Sequence, residues 1–369
     1  MKRIGALYRR SIPIIQLIGL AVFLYCFIFS LDLMGTSLKM FGQGFAKTLI
    51  QSTANPIVGL LIGVLATSII QSSSSVTSIV VGMVAGGALG IESAIPIVMG
   101  ANIGTSITNI IASLPEIGRR HEFSRAFSAA IVHDFFNWMA VLILFPLQIA
   151  TNFLGIAASA LGQAFQNIGG LTFLSPIKAL THPLVELLEL GIGAHPWVLL
   201  ILSLGLLLLS LKKMVDALKG LVVEKAEAWF DRYLFKSALR AFVVGALLTV
   251  IVQSSSITTS LIVPMAGAGI LSLWQIFPYT LGANVGTTVT AILAALVTGN
   301  LAAIMVAFSH LLFNLCGITI WWPMRHVPIY LAERFARYSA QRRIIPFLYV
   351  VLVFFIIPIL GILLLRGGG

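Results

Sequence analysis

Long apolar runs separated by short basic clusters set the pattern of the chain. Seven runs, 12–34, 94–113, 126–149, 196–211, 276–297, 300–323 and 344–365, approach the roughly 20 residues that a helix needs to cross a ~30 Å hydrocarbon core. The fourth is the shortest. Two further apolar regions, 54–90 and 241–272, are each interrupted by Gln-Ser-Ser-Ser, leaving arms of about 13–17 residues, roughly 20–25 Å of helix. Such arms are too short to cross comfortably. Two of them meeting at a polar tip predict a re-entrant hairpin, a form tolerated at membrane depth only where protein or water covers the tip. The pattern therefore predicts an all-α polytopic membrane protein.

Composition agrees: of 369 residues, 59% are hydrophobic and only 9% charged, which excludes an ordinary soluble protein. The net charge of +11 does not point to nucleic acid, because the basic residues lie between apolar runs rather than along one face. They read as topology signals. The N-terminal segment, the loops 114–125, 212–240 and 324–343 fall on one predicted side with 19 Lys/Arg, against 4 on the other side in 35–53, 150–195 and the C-terminus. This asymmetry predicts a cytoplasmic N-terminus and an external C-terminus. Loop 212–240 reads as a charged amphipathic helix on the cytoplasmic surface. Met1 to Arg10 resembles the n-region of a signal peptide, but the run after it is too long and lacks a small-residue cleavage site, so a retained span is expected. Gly367-Gly368-Gly369 reads as a cloning scar. Cys26 and Cys316 both lie in apolar stretches and offer neither metal-ligand spacing nor a disulfide framework.

The chain repeats itself. Residues 71–112 align without a gap on 253–294 at an offset of 182, with 19 identities in 42 positions. The likeness continues at an offset of 177, where His133, Phe136, Asn137 and Pro146 match His310, Phe313, Asn314 and Pro323. Each copy is a hairpin, a helix bearing Gly-Ala-Asn-x-Gly-Thr and a helix bearing His-x-x-Phe-Asn. A single span between the copies predicts that they have opposite orientations, the architecture in which secondary transporters exchange the conformations of two halves. The expected organisation is a first span with flanking segments (1–53), repeat 1 (54–150), a connector (151–240), repeat 2 (241–323) and a basic loop with the last span (324–369).

The polar groups inside the repeats are almost all neutral: Gln71, Ser72 to Ser75, Thr77, Asn102, Thr105 and their counterparts Gln253, Ser254 to Ser256, Thr259, Asn284, Thr287. Amide, hydroxyl and carbonyl oxygens suit a hard cation, while hydroxyls and free N–H groups at a helix start suit an oxyanion. One site can hold both. Packing accounts for most isolated membrane Ser and Thr, but four consecutive small polar groups duplicated in two halves exceed what packing needs. The glycines flanking Asn102 and Asn284 permit either close helix contact or a helix break. His133 and His310 read as packed residues satisfying neighbours. Asp134 is an intramembrane acid and a candidate charge-coupling group; the alternative is a cytoplasm-proximal acid paired with His133, Arg119 or Arg125. No Lys or Arg lies in 55–113, 126–149 or 241–323, so a divalent anion held there needs co-bound cations.

The paired Gln-Ser-Ser-Ser tips, the two Gly-Ala-Asn-x-Gly-Thr segments and the stretch RAFSAAIVHDFFNWMAVLILFP resemble the type II sodium–phosphate cotransporter family. That resemblance implies Na+-driven uptake of inorganic phosphate without a cofactor. It implies a shared binding region of Gln71, Gln253 and the tip serines with Asn102, Thr105, Asn284 and Thr287 nearby; the expected division puts phosphate on Ser72, Ser73, Ser74, Ser254, Ser255 and Ser256, and Na+ on Gln71, Thr77, Asn102, Thr105, Gln253, Thr259, Asn284 and Thr287. Its expected partners are phosphate, Na+ and the bilayer, with no nucleic acid and no protein partner. Animal members carry a large cysteine-containing external loop and long cytoplasmic tails. The short, Cys-free 150–195 points instead to a compact bacterial-type member in an inner membrane. Another small oxyanion such as sulfate or a dicarboxylate, or less favourably a channel, would use the same groups. An enzyme would need a nucleophile–base pair or metal cluster that the pattern does not supply.

Overall fold

The computed structural model describes residues 2–167, 175–191, 195–230 and 237–366, so the terminal glycine triplet lies outside it. Among the described residues the regular structure is helical. Seven helical stretches are long and apolar enough to cross a bilayer: Ile18–Met40, Ile91–Gly118, Arg120–Thr151, Pro196–Met214, Leu273–Thr298, Leu301–Trp321 and Ile344–Leu365. The chain is an integral membrane protein. Each expected span has its helix, and several run further than hydropathy alone indicates. Helix α1 covers Lys2–Met40 and is followed by α2, Gly42–Ser52, where a loop was expected.

The two interrupted regions form pairs of short helices. In the first, α3 (Pro56–Ile70) and α4 (Ser73–Ala85) contain 15 and 13 residues; in the second, α11 (Ala238–Val252) and α12 (Ser255–Gly267) have the same lengths. Asn55 starts α3 by accepting the Ile57 N–H while Pro56 fills the first turn, where a missing N–H costs nothing.

The Gly-Ala-Asn-x-Gly-Thr segments differ between the copies. The first helix breaks at Ser106 into α5 (Ile91–Thr105) and α6 (Ile107–Ser113), whereas α13 (Leu273–Thr298) is continuous. The His-x-x-Phe-Asn helices are α7 (Arg120–Thr151) and α14 (Leu301–Trp321). Between the repeats come α8 (Phe153–Asn167), α9 (Ser175–Gly191) and α10 (Pro196–Phe230), which carries the span onward through much of 212–240 as one helix. The basic segment 324–343 folds as α15 (His326–Gln341), burying Ile329, Ala332 and Ala336 at helical spacing against α7. The last span is α16 (Ile344–Val351), a π-helical turn (Leu352–Ile356) and α17 (Ile357–Arg366).

The glycines flanking the asparagines serve close packing in both copies. A Cβ on Gly100 would stand 1.9 Å from the Leu60 carbonyl oxygen, and one on Gly282 would stand 1.9 Å from that of Phe242. Backbones therefore meet where α5 crosses α3 and where α13 crosses α11. The copies also interleave: α4 packs on α13 and α14 of the second repeat, and α12 packs on α6 and α7 of the first. Sites formed at these crossings draw on both repeats at once.

Candidate functional site

Each Gln-Ser-Ser-Ser tip is built by the same backbone sequence. The first arm ends where Gln71 or Gln253 turns into the left-handed region, at φ 57° in both, a conformation non-glycine residues adopt at a cost. Its N–H still closes the helix, onto the Thr67 or Thr249 carbonyl at 2.7 Å. The following serine is extended and caps the second arm: Ser72 Oγ accepts the Ser75 N–H at 3.2 Å, and Ser254 Oγ accepts the Ile257 N–H at 3.4 Å. The first amides of α4 and α12 thus gather at the tips, where helix starts carry partial positive charge and unused N–H donors.

The tips touch each other. Ser256 Oγ donates to the Gln71 carbonyl oxygen at 3.4 Å, although the two residues are 185 positions apart. Ser73, Ser74, Ser255 and Ser256 are buried, Ser72, Ser254 and Gln253 are half-buried, and Gln71 is exposed. The six serines of the sequence expectation therefore lie at one junction between the two copies.

The threonines face inward with their protons already used. Thr77 donates to the Ser73 carbonyl at 2.7 Å, Thr105 to Ala101 at 3.0 Å and Thr287 to Ala283 at 3.0 Å. A hydroxyl that donates backward to its own helix keeps its lone pairs for a cation. Thr259 instead reaches across the repeats, donating to Asn109 Oδ1 at 2.8 Å, with the Ser255 carbonyl at 2.7 Å.

Asn102 and Asn284 are each held by the other copy's histidine. His133 Nε2 lies 2.7 Å from Asn284 Oδ1, and His310 Nε2 lies 3.1 Å from Asn102 Oδ1. On the far side of its ring, His133 Nδ1 accepts from Asn109 Nδ2 at 3.1 Å, so one neutral tautomer satisfies both ring nitrogens. Asn137 ties the centre together, donating to the Asn102 carbonyl at 2.7 Å and accepting from Asn284 Nδ2 at 2.9 Å.

Equivalent positions are not equally satisfied. In repeat 2, Thr290 donates to Gln253 Oε1 at 2.8 Å and Thr249 pairs with Thr258 at 2.8 Å. In repeat 1 the hydroxyls of the counterparts Thr108 and Thr67 are buried with no partner; Val76 stands where repeat 2 has Thr258. Asn102 Nδ2, Ser78 Oγ, His310 Nδ1 and Asn314 Oδ1 are likewise unmet. These groups sit on α3, α4, α5, α6 and α14, elements that pack together, and a polar ligand or ion would relieve their desolvation.

Asp134 does not pair with His133, Arg119 or Arg125. Arg119 binds Glu116 and Glu122, Arg125 donates to the Gly267 carbonyl at 2.9 and 2.6 Å, and His133 is held by the two asparagines. Among the described residues the Asp134 carboxylate accepts from Ser106 and from the Tyr349 hydroxyl. Three residues here escaped the sequence reading. Asn109 lies opposite Ala291, so identity between the copies passes over it. Tyr349 lies outside the repeats. Asp32, in the first span and outside both repeats, accepts from Thr181 at 2.8 Å.

These features define a polytopic helical membrane protein whose two interleaved copies place paired helix breaks around a shared, neutral polar centre. The chain belongs to the Na+/Pi-cotransporter family, whose model matches residues 26–175 and 206–322. It is 34% identical over 451 residues to sodium-dependent phosphate transport protein 2B of Homo sapiens, covering 93% of this chain and 64% of that protein. The same protein of Pongo abelii gives 34% identity with the same coverage. Sodium-dependent phosphate transport protein 2A of Oryctolagus cuniculus is 33% identical over 434 residues, covering 95% of this chain and 68% of that protein. The chain thus spans about two thirds of the length of these relatives. No solved structure gives a significant match.

Proposed function

We propose that the chain couples inward Na+ movement to uptake of inorganic phosphate by alternating access, without chemical conversion of its cargo. The observation that carries this reading is the contact between the two tips, Ser256 Oγ on the Gln71 carbonyl, in segments free of Lys and Arg. Two helix starts converge there, suited to an oxyanion, and no fixed cation neutralises it. Phosphate is assigned to Ser72, Ser73, Ser74, Ser254, Ser255 and Ser256. Na+ is assigned to the oxygens of Gln71, Thr77, Asn102, Thr105, Gln253, Thr259, Asn284 and Thr287, with Asp134 as the charge-coupling acid. Repeats 54–150 and 241–323 are the two moving halves, in opposite orientations, with the N-terminus cytoplasmic and the C-terminus external in a bacterial-type inner membrane. The relatives' names and the 19-to-4 distribution of Lys/Arg support this assignment.

Radiolabelled phosphate uptake into proteoliposomes with and without a Na+ gradient tests the reading. Saturable, gradient-driven accumulation is expected; Na+-independent downhill flux would refute it. Excess sulfate or a dicarboxylate should not compete, and strong competition would assign the site to another oxyanion. Cysteines placed at Gln166 and Ala226 test orientation in intact cells: an impermeant thiol reagent should label the first only.

A further inference from the structure

Asp134 is fully buried in α7, and the two groups found on its carboxylate are both neutral hydroxyls. One lies within repeat 1: Ser106 stands where α5 breaks into α6, and its Oγ donates to the acid. The other lies outside both repeats. Tyr349 belongs to the last span, beyond residue 322, where the match to the family ends. Most of that span presents apolar side chains outward, including Leu348, Val351 and Leu352. Tyr349 turns the other way, with its ring fixed between Phe335 at 5.2 Å and Phe354 at 6.1 Å and its hydroxyl on Asp134.

We propose that Tyr349 is a positioning residue for a monovalent-cation site at Asp134, contributed by the last span rather than by either repeat. The proposal rests on the reading of Asp134 as the charge-coupling acid. A phenol that donates to one carboxylate oxygen keeps two lone pairs, as does Ser106 on the other oxygen, so both hold the carboxylate in one orientation and offer oxygen to an ion beside it. Hard-cation sites need several oxygens at fixed distances, and a lone carboxylate on a helix cannot supply them.

The same helix gives this contact a mechanical connection. Beyond Tyr349 it passes through the π-helical turn Leu352–Ile356, a feature often found at functional positions, and α17 then lies on α3. At that crossing a Cβ on Gly361 would stand 2.5 Å from Leu61 Cδ1. Helix α3 ends at Gln71, in the tip assigned to the anion. An ion that redirects the Tyr349 hydroxyl therefore acts on a rigid helix seated against the first hairpin, joining the cation site to the anion site from outside the repeats.

Tyr349→Phe removes the hydroxyl and leaves the ring in its aromatic contacts. Phosphate uptake in proteoliposomes should then need at least about tenfold more Na+ for half-maximal rate, the loss of one hydrogen bond to a carboxylate, while half-saturation for phosphate at saturating Na+ stays unchanged. Ser106→Ala should act in the same direction from the other oxygen. Na+-dependent thermal stabilisation of the purified variants gives a second readout independent of transport and should weaken in parallel. A wild-type Na+ requirement in Tyr349→Phe, with Asp134→Asn impaired, would overturn the role of Tyr349 alone. Equal loss of Na+ and phosphate affinity would overturn it too, as a packing defect. A wild-type Na+ requirement in Asp134→Asn would instead remove the Asp134 reading on which the proposal stands.

Discussion

His133 Nε2 and Asn284 Oδ1 stand 2.7 Å apart in a buried hydrogen bond between residues 151 positions apart in the chain. The bond joins the His-x-x-Phe-Asn helix of one repeat to the Gly-Ala-Asn helix of the other, and His310 with Asn102 repeats the pairing at 3.1 Å. Each repeat therefore positions the other's asparagine.

The two histidines should differ in worth. His133→Ala leaves Asn284 Oδ1 and Asn109 Nδ2 unmet, at about 1–3 kcal/mol for each buried group. His310→Ala strands only Asn102 Oδ1, because His310 Nδ1 has no partner to lose. Thermal unfolding in detergent should show the larger drop for His133→Ala. Equal drops would mean that packing, not hydrogen bonding, sets the histidines' contribution.

Gly100 and Gly282 should tolerate no side chain. Alanine at either would press a Cβ onto a backbone carbonyl 1.9 Å away, where neither partner can yield without moving a hairpin arm, at about 1–3 kcal/mol or more. Both variants should lose uptake together with stability. Gly205→Ala meets nothing within 4 Å and should keep both. Wild-type melting and transport for Gly100→Ala would contradict the close crossing of α3 and α5.

Thr290 and Thr108 occupy equivalent positions with opposite states. Thr290→Val breaks the bond to Gln253 and should destabilise the unliganded protein by about 0.5–1.5 kcal/mol. Thr108→Val removes a hydroxyl that has no protein partner, so it should leave unliganded stability unchanged or raised. If that hydroxyl serves bound ligand, its loss appears instead as weaker Na+ or phosphate binding. Melting curves with and without both ligands separate these outcomes, and a destabilised unliganded Thr108→Val would count against the unmet state of the residue.

Because 55–113, 126–149 and 241–323 hold no Lys or Arg, an anion at the proposed site needs bound Na+ to offset its charge. Opposite unit charges about 4 Å apart attract by about 4 kcal/mol at an effective dielectric of 20, an upper guide since desolvation opposes it. Na+ should tighten phosphate binding, and phosphate should tighten Na+ binding by the same factor. Titrating phosphate onto purified protein with choline replacing Na+ at constant ionic strength measures the coupling. Unchanged affinity would show that helix dipoles alone neutralise the anion.

Spans, helix breaks and duplication were legible in the sequence because each is local. A span is a length of apolar residues, a break is a polar interruption that leaves arms too short to cross, and a repeat is self-similarity at one offset. A site shared by the two serine tips is an expectation from the family resemblance; the structure shows the tips in contact, Ser256 with Gln71.

What the pattern could not contain is which buried polar group meets which. Burial obliges Asp134 to find partners, but the choice of Tyr349 and Ser106 over His133, Arg119 or Arg125 depends on how the last span lies against α7. The glycines beside Asn102 and Asn284 were compatible with a break or a close crossing until the backbones were brought together. Identical residues at the paired positions, Gln71 with Gln253 and Thr108 with Thr290, also gave no sign that Thr290 is bonded and Thr108 is not. Hydropathy is a property of each residue taken singly, whereas desolvation is satisfied only by atoms within about 3 Å, and the interleaving of two repeats decides which atoms those are.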